Sequence, residues 1–394
     1  MDRTFTRRAA RITWALHLPF GLGLAAGLPQ SWRPGTRLGV AGATALLLAC
    51  HAGPWWARAE ADVPLSRPRR LAVEEPYAIH LLALALAVGP ALVAAAGVGL
   101  GWEEDCARNV GRWAYPVAWL PAAWAVVVRR RWARVVRYEV PVRGLPSAFD
   151  GYRIVQLSDV HLGSMTPRSW VERWVAQANR LAPDLVVLTG DYVTSGVAFH
   201  RNIADALGAL RARNGVIAIM GNHDYYGDGE PMMGWLAERG VTWLRNAATT
   251  VRRGGPEDDA ALTVVGLDDV YTRRFDAEVA FAAAGPRPRL VLAHDPSRFA
   301  QLHRFGADLV LGGHSHWGQF GLPFAAARYN VLRWLDPALA STSGWTVRDD
   351  GRDYVHPGLG TTMVPARFGV APEVTLHVLR PEKKVTVRTD GVGG

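Results

Sequence analysis

Apolar residues follow two different rhythms along this chain. Before residue 130 they form four long runs, Ile12–Leu28, Leu38–Ala57, Ile79–Leu100 and Trp113–Val128. The third has 22 residues and no Asp, Glu, Lys or Arg, long enough to cross a hydrocarbon core as a helix. The second is nearly as clean. The first and fourth are at the short limit and contain Pro19, and Pro116 with Pro121, which a membrane helix tolerates when its neighbours satisfy the freed backbone groups. The pattern predicts an all-α transmembrane region of about four helices over residues 1–137.

From residue 138 onward the apolar runs are short, β-branched or aliphatic, and stop abruptly in polar clusters: Arg153–Leu157, Leu185–Leu188, Val216–Met220, Thr263–Gly266, Leu290–Leu292 and Leu309–Leu311. Between them lie amphipathic stretches. Trp170, Trp174, Ala178 and Leu181 share one helical face, and Pro167 suits the first turn of that helix. Such alternation predicts an α/β sheet covered on both faces, occupying residues 138–394. Gly358–Met363 and Val374–Leu379 read as closing strands, whereas Phe320–Pro357 shows no strand–helix rhythm. With Phe320, Phe324, Tyr329, Trp334, Leu335 and Trp345 and few charges, that segment suits either an apolar lip at the site mouth or a packed loop.

Charge sharpens this division. The formal net charge of +9 resides in the apolar part: residues 1–137 hold 17 Arg against 8 Asp+Glu, and residues 138–394 hold 27 Lys+Arg against 27 Asp+Glu. A charge-neutral C-terminal domain argues against a phosphate-tracking nucleic-acid surface, and no nucleic acid is expected as a partner. Arginines follow the loops instead. Four precede the first run, four follow the second and five follow the fourth (Arg129, Arg130, Arg131, Arg134, Arg137), against two in each remaining loop. That bias predicts a multi-pass protein of the inner (plasma) membrane with its large domain in the cytoplasm. A rival reading makes the first run a cleaved signal with Arg7-Arg8 as its cue, although the expected apolar continuation does not follow the pair. His17, His51 and His80 lie in or beside the runs without a visible carboxylate partner and read as neutral packing histidines. The two cysteines, Cys50 and Cys106, cannot build a disulfide framework or a thiolate zinc site, so any metal must be held by His, Asp and Asn.

The candidate chemistry sits in five clusters, each just after a strand, at the edge where open α/β sheets bind ligands. Ser158-Asp159-Val160-His161 places a carboxylate and an imidazole two residues apart, on one side of an extended backbone. Gly190-Asp191 supplies a carboxylate able to bridge two cations. Gly221-Asn222-His223-Asp224 offers a neutral oxygen, a proton donor and a partner carboxylate, the most specific of these strings so far. Ala293-His294 adds a further imidazole. Gly312-Gly313-His314-Ser315-His316 alternates two histidines beside glycines that let a metal approach the backbone. Asp159, His161, Asp191, Asn222, His294, His314 and His316 together provide enough nitrogen and oxygen for two borderline metals joined by a shared carboxylate.

The order Asp-x-His, Gly-Asp, Gly-Asn-His-Asp, His, Gly-His-x-His resembles the calcineurin-like metallophosphoesterase family over about residues 150–320. The tail around Gly358-Leu359-Gly360, Arg367 and Pro372-Glu373 resembles a bacterial branch with N-terminal membrane segments. The resemblance implies a two-sheet αββα sandwich. It places Asp159, His161, Asp191 and His316 on one metal and Asp191, Asn222, His294 and His314 on the other, with manganese, iron and zinc all represented in the family. It makes His223 the catalytic histidine. On the residues themselves, Asp224 reads as a supporting partner carboxylate at the catalytic site, Asn222 as a substrate contact as well as a ligand, and Arg367 as either a contact to a substrate oxygen or a structural ion pair. The implied reaction is hydrolysis of a phosphodiester or pyrophosphate in a phosphorylated small molecule or lipid, a UDP-diacylglucosamine among the candidates. A non-catalytic membrane adaptor on the same fold would show lost ligands, and none is missing. A transporter reading is weakened by helices without buried carboxylates.

Overall fold

The computed structural model describes residues 3–28, 31–61, 63–101, 103–253, 260–331, 333 and 343–382. All four apolar runs are helical: Arg3–Gly27, Pro34–Ala61, Glu75–Gly99 and Glu104–Ala123. A π-helical segment, Arg70–Glu74, leads into the third, and another, Trp124–Val128, prolongs the fourth. Two stretches, Pro34–Arg58 and Arg67–Ala94, are long and apolar enough to cross a membrane. The helices around the first and fourth runs fall short of that standard, so four crossings are not established. The polar residues inside this region find each other. Trp119 donates to the Tyr115 hydroxyl (3.0 Å), which lies 2.7 Å from His80 Nδ1. His80 Nε2 meets His17 Nε2 at 3.0 Å, and His17 Nδ1 donates to the Thr13 carbonyl. Neutral imidazoles satisfy this chain completely when the Tyr115 hydroxyl donates to His80, as expected for packing histidines.

Two six-stranded sheets form the C-terminal body. One comprises β1 (Arg134–Val142), β2 (Arg153–Leu157), β3 (Leu185–Leu188), β4 (Val216–Ala218), β5 (Val241–Trp243) and β12 (Glu373–Pro381), in the order β1-β12-β2-β3-β4-β5. The other comprises β6 (Ala247–Arg252), β7 (Ala261–Gly266), β8 (Arg289–Leu292), β9 (Leu309–Gly312), β10 (Gly344–Val347) and β11 (Arg352–Val355), in the order β10-β11-β9-β8-β7-β6. Strand alternation assigns the layers. Ile154, Leu185, Val187 and Ile217 of the first sheet interlock with Val264, Leu290, Leu292 and Leu311 of the second. The neighbouring residues Val155, Val186 and Leu188 turn outward against Trp170, Trp174 and Ile203 of covering helices. On the far side, Val265, Val291 and Val310 pack against Phe281, Phe299 and Leu302. The result is the expected αββα sandwich, and the helix Arg168–Arg180 begins directly after Pro167.

Several expectations need correction. β1 begins at Arg134, so Arg134 and Arg137 lie on a strand paired in parallel with β12 rather than in a membrane-flanking loop. Gly358–Met363 is a loop, not a strand. Gly358 and Met363 have φ of +77° and +59°, which a ladder does not accept. Phe320–Pro357 does contain strands, the β10–β11 hairpin, whose short polar turn Arg348–Gly351 hid the pattern. The supposed apolar lip divides. Phe320 packs against the helical region and Trp345 against the inter-sheet core, while Phe324 and Tyr329 are exposed. Trp334 and Leu335 lie outside the described residues.

The helical region joins the sandwich through apolar and ionic contact. Ala366 and, half-buried, Val364 pack with Trp55, Tyr77, Ala122 and Ala125. Glu75 accepts from Arg130 (2.8 Å) and Arg131 (2.5 Å), and Arg130 also donates to the Met165 carbonyl (2.8 Å). Replacing Glu75 with Ala leaves the buried Arg130 guanidinium without its counter-charge. The expected cost is about 3–5 kcal/mol, read as a lowered thermal unfolding midpoint of the detergent-solubilised protein. An unchanged midpoint would show that this ion pair does not tie the two parts together.

Candidate metal centre

The five clusters converge at the C-terminal ends of β2, β3 and β4 in one sheet and β8 and β9 in the other. The two sheet edges are stitched together by Gln156, whose side-chain amide donates to the Gly312 carbonyl and the Thr189 hydroxyl, each at 3.0 Å. His161 Nε2 and His316 Nε2 face each other at 3.0 Å, and His316 Nε2 lies 3.3 Å from Asp159 Oδ1. Asp191 Oδ2 is 3.5 Å from His161 Nε2 and 3.2 Å from His294 Nε2. His314 Nδ1 lies 3.1 Å from Asn222 Oδ1. Ligand atoms of Asp159, His161 and His316 fall within 4.8 Å of one another, as do those of Asp191, His294 and His314. A third group joins His161 and Asp191 to His223. Asp191 thus faces both halves of the site.

The backbone reason for this convergence differs from the sequence-based one. Asp159, His161, His314 and His316 are not on extended chain. Their φ values are +52°, +44°, +69° and +49°, and Asp191 joins them at +56°. Left-handed conformations of non-glycine residues cost on the order of 1–3 kcal/mol each and persist only where surrounding contacts fix them. Here the Asp159 amide donates to the Gly190 carbonyl and the His161 amide to the Asp191 carbonyl, each at 3.0 Å. Glycine is needed where the loops nearly touch. A Cβ on Gly313 would sit 2.0 Å from Asp159 Oδ2 and 2.1 Å from Ser158 Oγ.

The electrostatics are those of a cation site. Burial, together with His223 nearby, drives His161 well below the ordinary imidazole range; burial and His161 do the same to His316. Both rings are therefore neutral, as ligation requires. Burial pushes the Asp159 carboxyl up to about 7, with Asp191 adding to the rise. Burial opposes ionisation of Asp191 too, but His294 and His223 hold it well below the usual carboxylate range. His294 Nδ1 donates to the Thr189 carbonyl (2.7 Å) and its Nε2 points into the site 3.2 Å from Asp191 Oδ2. Burial opposes a charge on this ring, but the Asp191 carboxylate holds it well above the ordinary imidazole range, marking a position where positive charge is favoured. Carboxylates and imidazoles sharing so small a buried volume are stabilised by positive charge that the protein itself does not supply. The donor set therefore fits metal ions.

Around these groups the hydrogen bonds show what the neighbouring side chains hold. Asp224 is not the partner of His223. Its oxygens accept the amides of Asp191 (2.8 Å), Tyr192 (2.7 Å) and Gly221 (2.9 Å), pinning the Asp191 loop. The orienting group for His223 is the Thr194 carbonyl, which accepts from Nδ1 at 2.6 Å. Arg367 follows the structural alternative. It is fully buried and donates to the carbonyls of Gly360 and Pro357 and to His316 Nδ1 (3.2 Å). Asn222 is also mostly buried, its amide donating to the Tyr226 hydroxyl (2.9 Å). Sequence reasoning missed Thr189, Thr194, Tyr226 and Tyr271. The Tyr226 ring lies 4.7 Å from that of His223, and the exposed Tyr271 ring lies 5.2 Å from that of His314. Adjacency to the motifs could have pointed to Thr189 and Tyr226; Tyr271 carries no local signal.

Residues 152–318 match the family model described as calcineurin-like phosphoesterase. The Bacillus subtilis protein described as the uncharacterized metallophosphoesterase YkuE is 30% identical over 240 residues, covering 60% of this chain and 82% of its own length. The chain belongs to the calcineurin-like metallophosphoesterases. Members of this family bind divalent metals, in keeping with the donor set just described. A zebrafish (Danio rerio) transmembrane protein with metallophosphoesterase domain is 35% identical over 259 residues, 63% of this chain, but the match spans only 57% of that relative's length. The UDP-2,3-diacylglucosamine pyrophosphatase LpxG of Chlamydia muridarum is 29% identical over 282 residues, covering 59% of this chain and 85% of its own length. Relatives named as transmembrane proteins and the two apolar helices together point to membrane association of this metallophosphoesterase.

Replacing Gly313 with Ala forces Asp159 off its position. Metal content of the purified protein, measured by inductively coupled plasma mass spectrometry, should fall clearly below wild type while the protein remains folded by circular dichroism. Undiminished metal content would show that Asp159 holds none.

Proposed function

We propose that the protein is a membrane-anchored, dinuclear metal-dependent hydrolase of phosphodiester or pyrophosphate bonds. The observation that carries this reading is Asp191, whose one carboxylate oxygen faces His161 on one side and His294 on the other. Asp159, His161, Asp191 and His316 would hold one ion, and Asp191, Asn222, His294 and His314 the other. Such ions, when bound, supply charge that stabilises the phosphoryl transition state and acidify the attacking water. Manganese, iron and zinc all suit an N/O donor set of this kind.

The chain's own residues do the rest. His223 is partly exposed at the site, with Nδ1 committed to the Thr194 carbonyl. Nε2 is therefore its proton-exchanging atom, and a proton held there passes to the leaving oxygen. Asp224 fixes the loops carrying Asp191 and His223, and Arg367 fixes the ring of His316. Both are positioning residues. Tyr226 and Tyr271 flank the open side, where they would bound the substrate's leaving portion.

Membrane anchoring and the likeness to a UDP-diacylglucosamine pyrophosphatase support a lipid-linked phosphate as substrate, such as a UDP-diacylglucosamine. With Arg134 and Arg137 placed on β1, an arginine bias of 11 to 4 remains and supports a multi-pass arrangement in the inner membrane with the metal centre in the cytoplasm.

His223→Ala should leave metal content at the wild-type level while kcat on bis(p-nitrophenyl) phosphate falls about 10²–10⁴-fold. Unchanged turnover would remove His223 from the mechanism. Stripping the metals with a chelator should abolish hydrolysis, and re-addition of manganese, iron or zinc should restore it. Full activity in the thoroughly metal-depleted protein would overturn the dinuclear reading.

A further inference from the structure

A cavity of about 50 Å3 lies where the helical region meets the catalytic body, and its walls come from both. One wall is Trp55, Arg58, Leu65 and Glu74. Trp55 and Arg58 end the apolar stretch Pro34–Arg58, and Glu74 lies near the start of Arg67–Ala94. This is the level at which both membrane-crossing candidates would meet the interface, where Trp and Arg anchors collect. The opposite wall is built from loops of the metal centre. Ser164, Met165 and Thr166 follow His161, and Thr361–Met363 follows the Gly360 carbonyl that Arg367 grips. Between them stands Thr194, which accepts from His223 through its carbonyl and donates through its hydroxyl to the His161 carbonyl at 3.2 Å.

The lining is mixed: Thr166, Thr194, Thr361 and Thr362 line it together with Trp55, Leu65 and Met363, and the Thr194 hydroxyl is bonded to the backbone of His161. Arg58 and Glu74 of the lining belong to a larger ionic cluster in which basic groups outnumber acidic ones. Glu74 and Glu75 are surrounded by Arg58, Arg69, Arg70, Arg130 and Arg131, five guanidiniums against two carboxylates. Beside this cleft, Gln319 is hydrogen-bonded to Thr362 through both ends of its amide. The loop that follows Gln319 exposes Leu322, Phe324 and Tyr329, although Phe320 itself packs on the helices.

We propose that this cleft admits an anionic membrane amphiphile sideways from the lipid leaflet. Its phosphate would reach the metal centre past the threonines, and the first part of its hydrocarbon chain would lie against Trp55, Leu65 and Met363. The cavity is too small for a whole lipid, so it grips the segment next to the phosphate and leaves the rest of the chain in the bilayer. This rests on the phosphoesterase reading and its lipid-linked substrate, and assigns to this cleft the recognition of the hydrocarbon chain next to the phosphate.

The test uses the full-length protein in phosphatidylcholine vesicles, loaded with manganese. Its substrates are two UDP-linked lipids that differ only in chain length, plus bis(p-nitrophenyl) phosphate. Wild type should favour the long-chain compound in kcat/KM by about 10-fold or more, since each buried methylene contributes severalfold. In Met363→Asp and Leu65→Asp the long-to-short ratio should fall by about 10-fold. Because the readout is a ratio within one preparation, partial misfolding does not mimic it. A wild-type ratio near one, or ratios in both variants within about twofold of wild type, would overturn the cleft while leaving the phosphoesterase reading intact. Failure to cleave any of the three compounds, bis(p-nitrophenyl) phosphate included, would overturn both.

Discussion

Everything in the catalytic body answers to one constraint: two carboxylates and four imidazoles occupy a buried volume that cannot tolerate their mutual desolvation without added positive charge. The backbone is shaped to that demand. Five of the seven candidate ligands (Asp159, His161, Asp191, His314 and His316) sit in left-handed conformations. Glycines at 190, 221 and 313 let five loops approach to distances at which a Cβ would collide with a candidate ligand carboxylate, a candidate ligand imidazole or the backbone of a neighbouring loop. Local strain of this sort is sustained only because the two sheets behind it are tightly interlocked. The sandwich is in that sense a clamp for loops that would not hold their shape alone.

Much of this could be read from the sequence, for identifiable reasons. β2, β3, β8 and β9 were legible within a residue because buried strands present short aliphatic runs bounded by Asp, Gly and His. The ligand set was legible because polar clusters must lie at strand ends to meet. What stayed hidden depends on tertiary contact. β1 looked like membrane-flanking charge because its Arg134 and Arg137 are exposed on an edge strand. The residues that orient the histidines, Thr189 and Thr194, act through backbone carbonyls, which side-chain identity does not report. Arg367 was visible as a candidate, but only its burial shows that it serves a ligand and not a substrate.

The reasoning about Asp159-x-His161 is instructive because it reached the right neighbours by the wrong geometry. Extended alternation would put both side chains on one face of a strand. The chain instead leaves the strand at Ser158 and turns through positive φ twice, which brings Asp159 toward His316 and His161 toward Asp191. A spacing of two is compatible with either path.

The amide of Arg367 donates to the carbonyl of Ala125, in the π-helical segment that prolongs the helix ending at Ala123, while the other end of the same residue grips the ring of His316. One residue, through its backbone amide and its side chain, therefore links the bundle to a candidate metal ligand. The catalytic body is consequently not a detachable module hung from an anchor. Excising the helices would uncover Ala366, strand the Arg367 amide and loosen the support of His316, so the helical bundle and the candidate metal centre form one mechanical unit.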